Sequence, residues 1–283
     1  MVIASTCWLF VLVAGSSESP EAPVGQRVEG GAPDLPALAP RGLRPATTTA
    51  SRTVGSYNWS GYAQSSTKKR AFTGVVTTFV VTTVDTTPPG DQYSSDWVGI
   101  DGLGSARLVQ AGVEEDNVGG TAVYRAWTEV LPAPENPLSL VIHPGDTVTA
   151  SVREIATNKW TLTVADVTTS RTARRIVTYR APGKSVEAIH ERPCLALPCS
   201  TNLASLAKTS NEVFDLGQFT SSAPGSTAIY SPLLTPVSGA QLDGITMVAA
   251  SGAPIATPSG ADTDQDGFAL TDGGVAPAPP SGT

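Results

Sequence analysis

The feature that most constrains the fold is a long succession of short β-rich runs, which begins near residue 53 and continues almost to the end of the chain. Within many runs apolar and polar residues alternate, the period of two expected of a strand that packs on one face. Turn sequences separate the runs, among them Pro-Pro-Gly at 88–90 and His-Pro-Gly-Asp at 143–146. The predicted strands are 73–84, 95–101, 107–114, 121–131, 139–142, 147–154, 159–166, 174–180, 185–191, 212–219 and 244–250.

The pattern predicts an all-β domain over residues 53–273, an antiparallel sandwich or barrel. The chain shows no long helical period and no internal repeat, although 202–208 could form one or two helical turns. The last residues, 274–283, end in Ala-Pro-Ala-Pro-Pro-Ser-Gly-Thr and predict a flexible tail.

The charge balance limits the possible partners. The chain has 18 Lys and Arg against 25 Asp and Glu, a net charge of -7 and a pI near 4.8. An acidic chain poor in Lys is a poor ligand for nucleic acids and anionic membranes. In acid its carboxylates would lose charge, which suits a protein that works there.

The N-terminus indicates export. Residues 1–16 resemble a signal peptide, because an apolar run is followed by small residues and Ala14-Gly15-Ser16 would serve as a cleavage site. The segment lacks Lys and Arg, and the alternative is a lone anchor helix, but the apolar run is short for spanning a membrane. We therefore expect a secreted protein that has no stable membrane association after processing.

The segment that follows, 17–52, is rich in Pro, Ala and Thr, contains almost no aromatic residues and cannot bury a core. Two interpretations stay open. It is a disordered linker, or it is a propeptide of a zymogen whose arginines lie against an acidic domain. These arginines are Arg27, Arg41, Arg44 and Arg52.

Cysteine usage agrees with export. Cys7 lies in the predicted signal peptide and would be removed, which leaves Cys194 and Cys199. An even pair in a secreted chain predicts a disulfide. A metal site is the alternative, but nothing near the pair supplies two more ligands, and the only histidines are His143 and His190.

Four predicted strands carry unusual residues on the face opposite their apolar side chains. A single carboxylate on such a face is ordinarily solvated, but tryptophans mixed with Gln and Glu indicate a surface that binds a polypeptide or a sugar. The residues that strand alternation places on this face are Trp97, Asp101, Gln110, Trp127, Glu129, Glu187 and Glu191.

Common catalytic and metal motifs are absent or incomplete. There is no His-Glu-x-x-His helix and no Gly-x-Ser-x-Gly elbow. Residues 262–267 have the Asp-x-Asp-x-Asp-Gly opening of a calcium loop, but Gly273 stands where the bidentate Glu belongs, so we interpret them as a polar turn. Asn58-Trp59-Ser60 is a glycosylation sequon that matters only in a eukaryotic host.

Five segments, taken together and in order, resemble the glutamic peptidases, also called eqolisins. The resemblance covers about residues 56–272. Its segments are Asn58-Trp59-Ser60-Gly61, Trp97-Val98-Gly99-Ile100-Asp101-Gly102, Leu108-Val109-Gln110-Ala111-Gly112, Tyr124-Arg125-Ala126-Trp127-Thr128-Glu129 and Val186-Glu187-Ala188-Ile189-His190-Glu191.

The resemblance implies a concanavalin-like sandwich of two bent seven-stranded antiparallel sheets, with a substrate groove on the concave face. It implies an acid endopeptidase that acts on polypeptides without a cofactor, a metal or an acyl-enzyme, and we expect a monomer. Gln110 and Glu191 match the catalytic pair, and a family disulfide matches the Cys194–Cys199 loop. The residues of the matching segments expected to contact substrate are Trp59, Trp97, Asp101, Trp127, Glu129 and Glu187.

The chain also departs from the family pattern, which puts the shape of the groove and the substrate preference in question. Arg125 stands where the family commonly has Asp, and Val130-Leu131 replaces an aromatic pair before Pro132. Ala188 and His190 replace bulkier apolar residues.

Two other functions fit the same residues. A lectin-like sandwich could bind or hydrolyse polysaccharide, with Glu187 and Glu191, about 13 Å apart along a strand, as a glycosidase pair. An inactive adhesion module is the third interpretation, and a large separation of Gln110 from Glu191 would favour it.

Overall fold

A computed structural model describes residues 51–105, 107–196 and 202–282. The predicted signal peptide, nearly all of the predicted leader, and Cys199 lie outside these ranges, so the disulfide stays a prediction. The described residues form sixteen strands and no α-helix, which confirms the all-β prediction. They accordingly include no apolar helix of membrane-spanning length.

The strands follow one another in this order along the chain. They are β1 (Ser51–Ser56), β2 (Trp59–Ser66), β3 (Gly74–Val80), β4 (Ser95–Ile100), β5 (Val109–Val118), β6 (Thr121–Val130), β7 (Asn136–Pro137), β8 (Thr147–Ala156), β9 (Lys159–Asp166), β10 (Arg171–Thr178), β11 (Ser185–Glu191), β12 (Glu212–Thr220), β13 (Tyr230–Pro232), β14 (Ala240–Val248), β15 (Pro254–Pro258) and β16 (Phe268–Asp272).

Hydrogen bonds join fourteen of these strands in one continuous path, β10-β9-β8-β3-β12-β16-β15-β14-β2-β11-β4-β5-β6-β7. The first seven and the last seven are the two halves of a sandwich, because β4 and β5 of one half lie against β8 and β9 of the other. Every neighbouring pair on the path is antiparallel. β1 adds to β14 in parallel, and β13 adds to β12.

The inner core fills the space between the halves. Alternate residues of the strands supply it, among them Val98, Val109, Ala126 and Val186, and all four are fully buried. The opposite faces of the same strands carry a second apolar group, which we call the outer cluster. It consists of Trp59, Ala63, Trp97, Leu108, Trp127, Ile189 and Ile245.

Most predicted strands are present, and β11 has the predicted bounds of 185–191. The strand predicted over 139–142 is wrong. Leu140 and Ile142 are buried in the inner core as their alternation indicates, but the backbone turns there, with the N–H of Leu140 donating to the carbonyl of Leu138. Their burial therefore comes without a partner strand.

The helical turns suggested for 202–208 are also wrong. The backbone there is extended and forms isolated bridges, Leu203 with Cys194 and Leu206 with Tyr93. The N–H of Tyr93 donates to the carbonyl of Ser205, which holds this segment against the start of the β4 region. Strands β1, β2, β7, β13, β15 and β16 were not predicted.

Both ends of the hydrogen-bonded path are poor templates for a further strand. β10 at one end exposes Arg171, Arg174 and Arg175. β7 at the other end has only two residues, both exposed, and one is Pro137. Charges, proline and short length all discourage pairing at an edge.

Candidate active site

The predicted site residues share one face of four adjacent strands, β11, β4, β5 and β6. Strand alternation puts Gln110, Glu129, Glu187 and Glu191 on the side of the outer cluster, opposite the inner core. Trp97, Trp127 and Trp59 are members of that cluster, and the rings of Trp59 and Trp97 meet edge to face at 5.0 Å. The structure thus brings the aromatic and the polar residues together on this face.

Glu191 ends β11, and two side chains hold its carboxylate. The indole Nε1 of Trp97 donates to Oε2 over 2.8 Å, and the amide Nδ2 of Asn58 donates to Oε1 over 3.2 Å. Asn58 is itself fixed, because the hydroxyl of Ser56 donates to its Oδ1. Glu191 is 6% exposed, so its carboxylate is oriented within a nearly closed site.

Gln110 lies directly opposite Glu129 in the β5–β6 ladder. Its Nε2 donates to Oε2 of Glu129 over 2.5 Å, and Gln110 is only 4% exposed. Its Oε1 is buried and accepts no hydrogen bond from the described residues. Glu129 therefore fixes the direction of the amide, while one acceptor of that amide stays unpaired.

Glu187 is fully buried two residues into β11. The backbone N–H of Leu103 donates to its Oε1 over 3.2 Å, and Oε2 is without a hydrogen-bond partner in the described part of the chain. Burial, and to a lesser extent the charge of Asp101, raises the pKa of the Glu187 carboxyl well above its usual value. Glu187 is consequently a neutral acid under acidic conditions.

Strand register fixes how these groups are spaced. Gly99 of β4 pairs with Glu187 on one side and with Gln110 on the other, so these two residues share a row two strands apart. In a flat sheet, two strands of separation put the Cα atoms of Gln110 and Glu187 about 10 Å apart. Glu191 lies four residues farther along β11, so its Cα would be about 16 Å from that of Gln110. Trp97 on the strand between them occupies the middle of this diagonal.

Asp101 follows β4, and its carboxylate is occupied by backbone groups. The N–H of Lys184 donates to Oδ1 over 2.8 Å and that of Gly183 to Oδ2 over 3.1 Å. Asp101 is fully buried, and burial raises its pKa although these hydrogen bonds oppose the shift. Its contacts tie the loop before β11 to the end of β4, and its predicted contact with substrate stays a prediction.

Two departures from the family pattern have partners in the structure. The Nε of Arg125 donates to Glu114 over 2.6 Å across the β5–β6 ladder. His190 faces the sandwich interior, where its Nδ1 lies 2.9 Å from a carboxylate oxygen of both Asp96 and Glu212. These acidic neighbours explain how a histidine is accommodated in the buried interior at this position.

The sequence did not reveal two features of this region. Asn58 was noted as a sequon and as part of a matching segment, without a role, yet it is buried and its amide donates to Glu191. The buried group formed by Asp96, His190 and Glu212 joins β4 and β11 to β12 of the other half. It is one of two sets of described residues whose side chains could hold a metal ion, the other being Asp215, Asp262 and Asp266.

Residues 57–221 match the Peptidase A4 family. Scytalido-glutamic peptidase, solved with a peptide-based transition state analog, has 19% identity and a TM-score of 0.59 over 76% of this chain and 98% of that one. SCP-B, a member of the Eqolisin family of peptidases solved with the tripeptide Ala-Ile-His, has 18% identity and a TM-score of 0.51 over the same shares. No curated protein matches the sequence.

Proposed function

We propose that this chain, which belongs to the Peptidase A4 family of glutamic peptidases, is an exported acid endopeptidase with Gln110 and Glu191 as its catalytic pair. One observation supports this more than any other: four polar atoms on the outer-cluster face are buried without a hydrogen-bond partner among the described residues. Buried polar atoms are seldom left unpaired, and a peptide backbone offers both donors and acceptors. The atoms are Nε1 of Trp59 and of Trp127, Oε1 of Gln110 and Oε2 of Glu187.

Glu191 is the group that we assign to proton transfer. As a carboxylate it takes a proton from the attacking water while the water oxygen bonds to the peptide carbon. As an acid it then gives that proton to the nitrogen while the C–N bond breaks, and it returns to its starting state. Trp97 and Asn58 keep the carboxylate in place during the cycle.

Gln110 is assigned to the developing oxyanion. An amide N–H stabilises negative charge on the tetrahedral oxygen without titrating itself. One N–H of Gln110 is directed by Glu129, and the amide carries a second N–H for the substrate. The carbonyl and the water would lie between Gln110 and Glu191, over the ring of Trp97.

Glu187 is assigned a supporting role. Its raised pKa keeps it uncharged in acid, so it adds no negative charge beside the reaction. Its bond to Leu103 holds the loop that follows β4. Family membership also favours this peptidase over the polysaccharide-binding alternative, in which Glu187 would be one of two acting carboxyls.

The test is proteolysis of a denatured protein by the exported chain at pH 2 to 7. We expect cleavage that is fastest in acid and insensitive to pepstatin, and an N-terminus between residues 17 and 56 by sequencing.

Glu191→Gln should abolish turnover and Gln110→Glu should cripple it, whereas Glu187→Gln should do less harm, with circular dichroism confirming that each variant is folded. A folded Glu191→Gln variant that retains near-parent activity would show that Glu191 is not the proton-transfer group. If Glu187→Gln lost activity instead, proton transfer would be assigned to Glu187.

A further inference from the structure

The loop between β15 and β16 carries three aspartates at alternate positions, Asp262, Asp264 and Asp266, followed by Gly267. Its sequence opens like a calcium loop but lacks the closing acidic ligand, since residue 273 is Gly. On sequence alone it was interpreted as a polar turn. The structure changes that interpretation, because it supplies the missing carboxylate from a distant strand.

That carboxylate belongs to Asp215 of β12, at the irregularity in the β12–β3 ladder. Single carboxylate oxygens of Asp215, Asp262 and Asp266 all lie within 4.8 Å of one another. Backbone hydrogen bonds fix this approach, because the N–H of Gly217 donates to the carbonyl of Asp266 over 2.9 Å. β12 and the loop therefore meet in a defined position.

The carboxylates have oxygens that the described protein leaves unpaired. Asp262 is 4% exposed, and its Oδ1 accepts from the N–H of Asp266, but its Oδ2 has no hydrogen-bond partner. Asp266 is 7% exposed, and its Oδ1 is likewise without a partner. Buried carboxylate oxygens without donors are costly, and a cation satisfies them.

The backbone of Gly267 forms the floor of this group. A Cβ at this position would lie 2.2 Å from Oδ2 of Asp262 and 2.9 Å from Oδ1 of Asp215. Any larger residue would thus occupy the space on which the two carboxylates converge. Gly also occupies this position, the sixth, in calcium loops.

The donor atoms of this group indicate which cation it would take. The group offers oxygen ligands only, and calcium accepts six to eight oxygens in a flexible arrangement, whereas magnesium requires a nearly ideal octahedron. This donor chemistry favours calcium.

We propose that Asp262 and Asp266, together with Asp215, bind one calcium ion that fastens β12 to the β15–β16 loop. These elements belong to the half of the path that does not carry Gln110 and Glu191, so the site is structural. Because the ligands must be ionised, binding should be strongest near neutral pH and should weaken in acid.

The experiment uses the exported protein, freed of metal with EDTA and titrated with CaCl2 at pH 7 in a calorimeter. We expect one calcium per chain with a Kd on the order of 10⁻⁴ M. The unfolding temperature should rise by about 5 °C in 10 mM CaCl2 relative to EDTA, and by less in MgCl2.

Asp215→Asn and Asp266→Asn should each weaken calcium binding at least about tenfold and remove the thermal shift. In EDTA neither should unfold at a lower temperature than the parent, because each removes one of several repelling charges. Asp91→Asn, which neutralises an exposed aspartate elsewhere, is the control and should keep the parent response.

Two results would overturn the proposal. One is a parent protein that gives no calcium heat up to 10 mM and has the same unfolding temperature in CaCl2 and EDTA, a measurement that does not depend on any variant. The other is an Asp215→Asn protein that binds calcium with parent affinity, which would show that β12 supplies no ligand.

Discussion

At the scale of single residues, Trp97 connects the two predicted catalytic groups. It lies between the strands of Gln110 and Glu191, and its indole N–H donates to Glu191. Trp97→Phe keeps an aromatic ring but removes that donor. Because a hydrogen bond to a charged group is worth about 1.5–3 kcal/mol, kcat should fall roughly 10- to 100-fold in a proteolysis assay at the optimal pH.

The control for that substitution is Trp160→Phe in the inner core, where the lost indole N–H donates to the carbonyl of Tyr179. Trp160→Phe should lower the unfolding temperature and leave kcat near the parent value. Equal kcat losses in the two variants would mean that Trp97 acts through general packing and not through Glu191.

Strand alternation could predict which face each of these residues occupies, but not which atoms would meet. The sequence placed Trp97, Gln110 and Glu191 on one face because β4, β5 and β11 alternate cleanly. It could not predict the contact of Asn58 with Glu191, which depends on the pairing of β2 with β11 across 133 residues. The approach of Asp215 to Asp262 and Asp266 could not be predicted for the same reason, because the β15–β16 loop lies far along the chain from β12.

At the scale of elements, β4 and β5 pack too closely for a side chain at Gly112. A Cβ there would lie 2.3 Å from the carbonyl oxygen of Asp96 and 2.5 Å from the Cβ of Trp97. The carbonyl oxygen of Asp96 belongs to the backbone and cannot rotate away from the new methyl group. Gly112→Ala should therefore reduce the free energy of unfolding by about 2 kcal/mol or more. Urea unfolding monitored by circular dichroism measures this.

Gly260→Ala is the matched control, because nothing lies within 4 Å of a Cβ there. It should change the unfolding free energy by less than about 0.5 kcal/mol. If Gly112→Ala proved equally harmless, the β4–β5 register described here would be incorrect.

The elements also show where sequence patterns succeed. β11 was predicted with its observed bounds because Val186 and Ala188 alternate with polar residues. β2 was missed because both of its faces are buried and it carries small and polar residues such as Ser60 and Gln64, so its polarity does not alternate with burial. The run at 139–142 has the opposite property, an alternating pattern without a partner strand.

At the scale of the whole molecule, several buried acids couple stability to pH. Burial raises the pKa of Asp96 to about 7, and it also raises the pKa values of Glu115 and Glu187 well above normal. The carboxylates of Glu212 and Asp96 raise the pKa of His190, although burial opposes them. The side chains that face this group include Thr82, which donates to Glu115.

All these shifts have the same sign. The folded state binds these protons more tightly than the unfolded state. The stabilisation from the three carboxyls is full below about pH 4 and falls as pH rises toward 7, whereas that from His190 is full below about pH 6.5 and is lost only above it. We therefore expect the free energy of unfolding, measured in urea, to fall between pH 4 and 7, each group contributing at most about 1.4 kcal/mol per pH unit.

Asp96→Asn should flatten this pH dependence, because an amide does not titrate, while Asp91→Asn should leave it unchanged. Stability that is constant or rises from pH 4 to 7 in the parent protein would contradict the assignment. A protein with this profile is best suited to an acidic setting, in agreement with the proposed activity.

The two end strands of the path, β10 and β7, affect where a polypeptide substrate can bind. An open sheet edge is a template on which an unfolded polypeptide can pair as a further strand, away from the proposed site. The arginines of β10 and the two-residue β7 with Pro137 disfavour such pairing. By this reasoning an extended chain would not pair at either end of the path, and the proposed site of Gln110 and Glu191 would be the place where it binds.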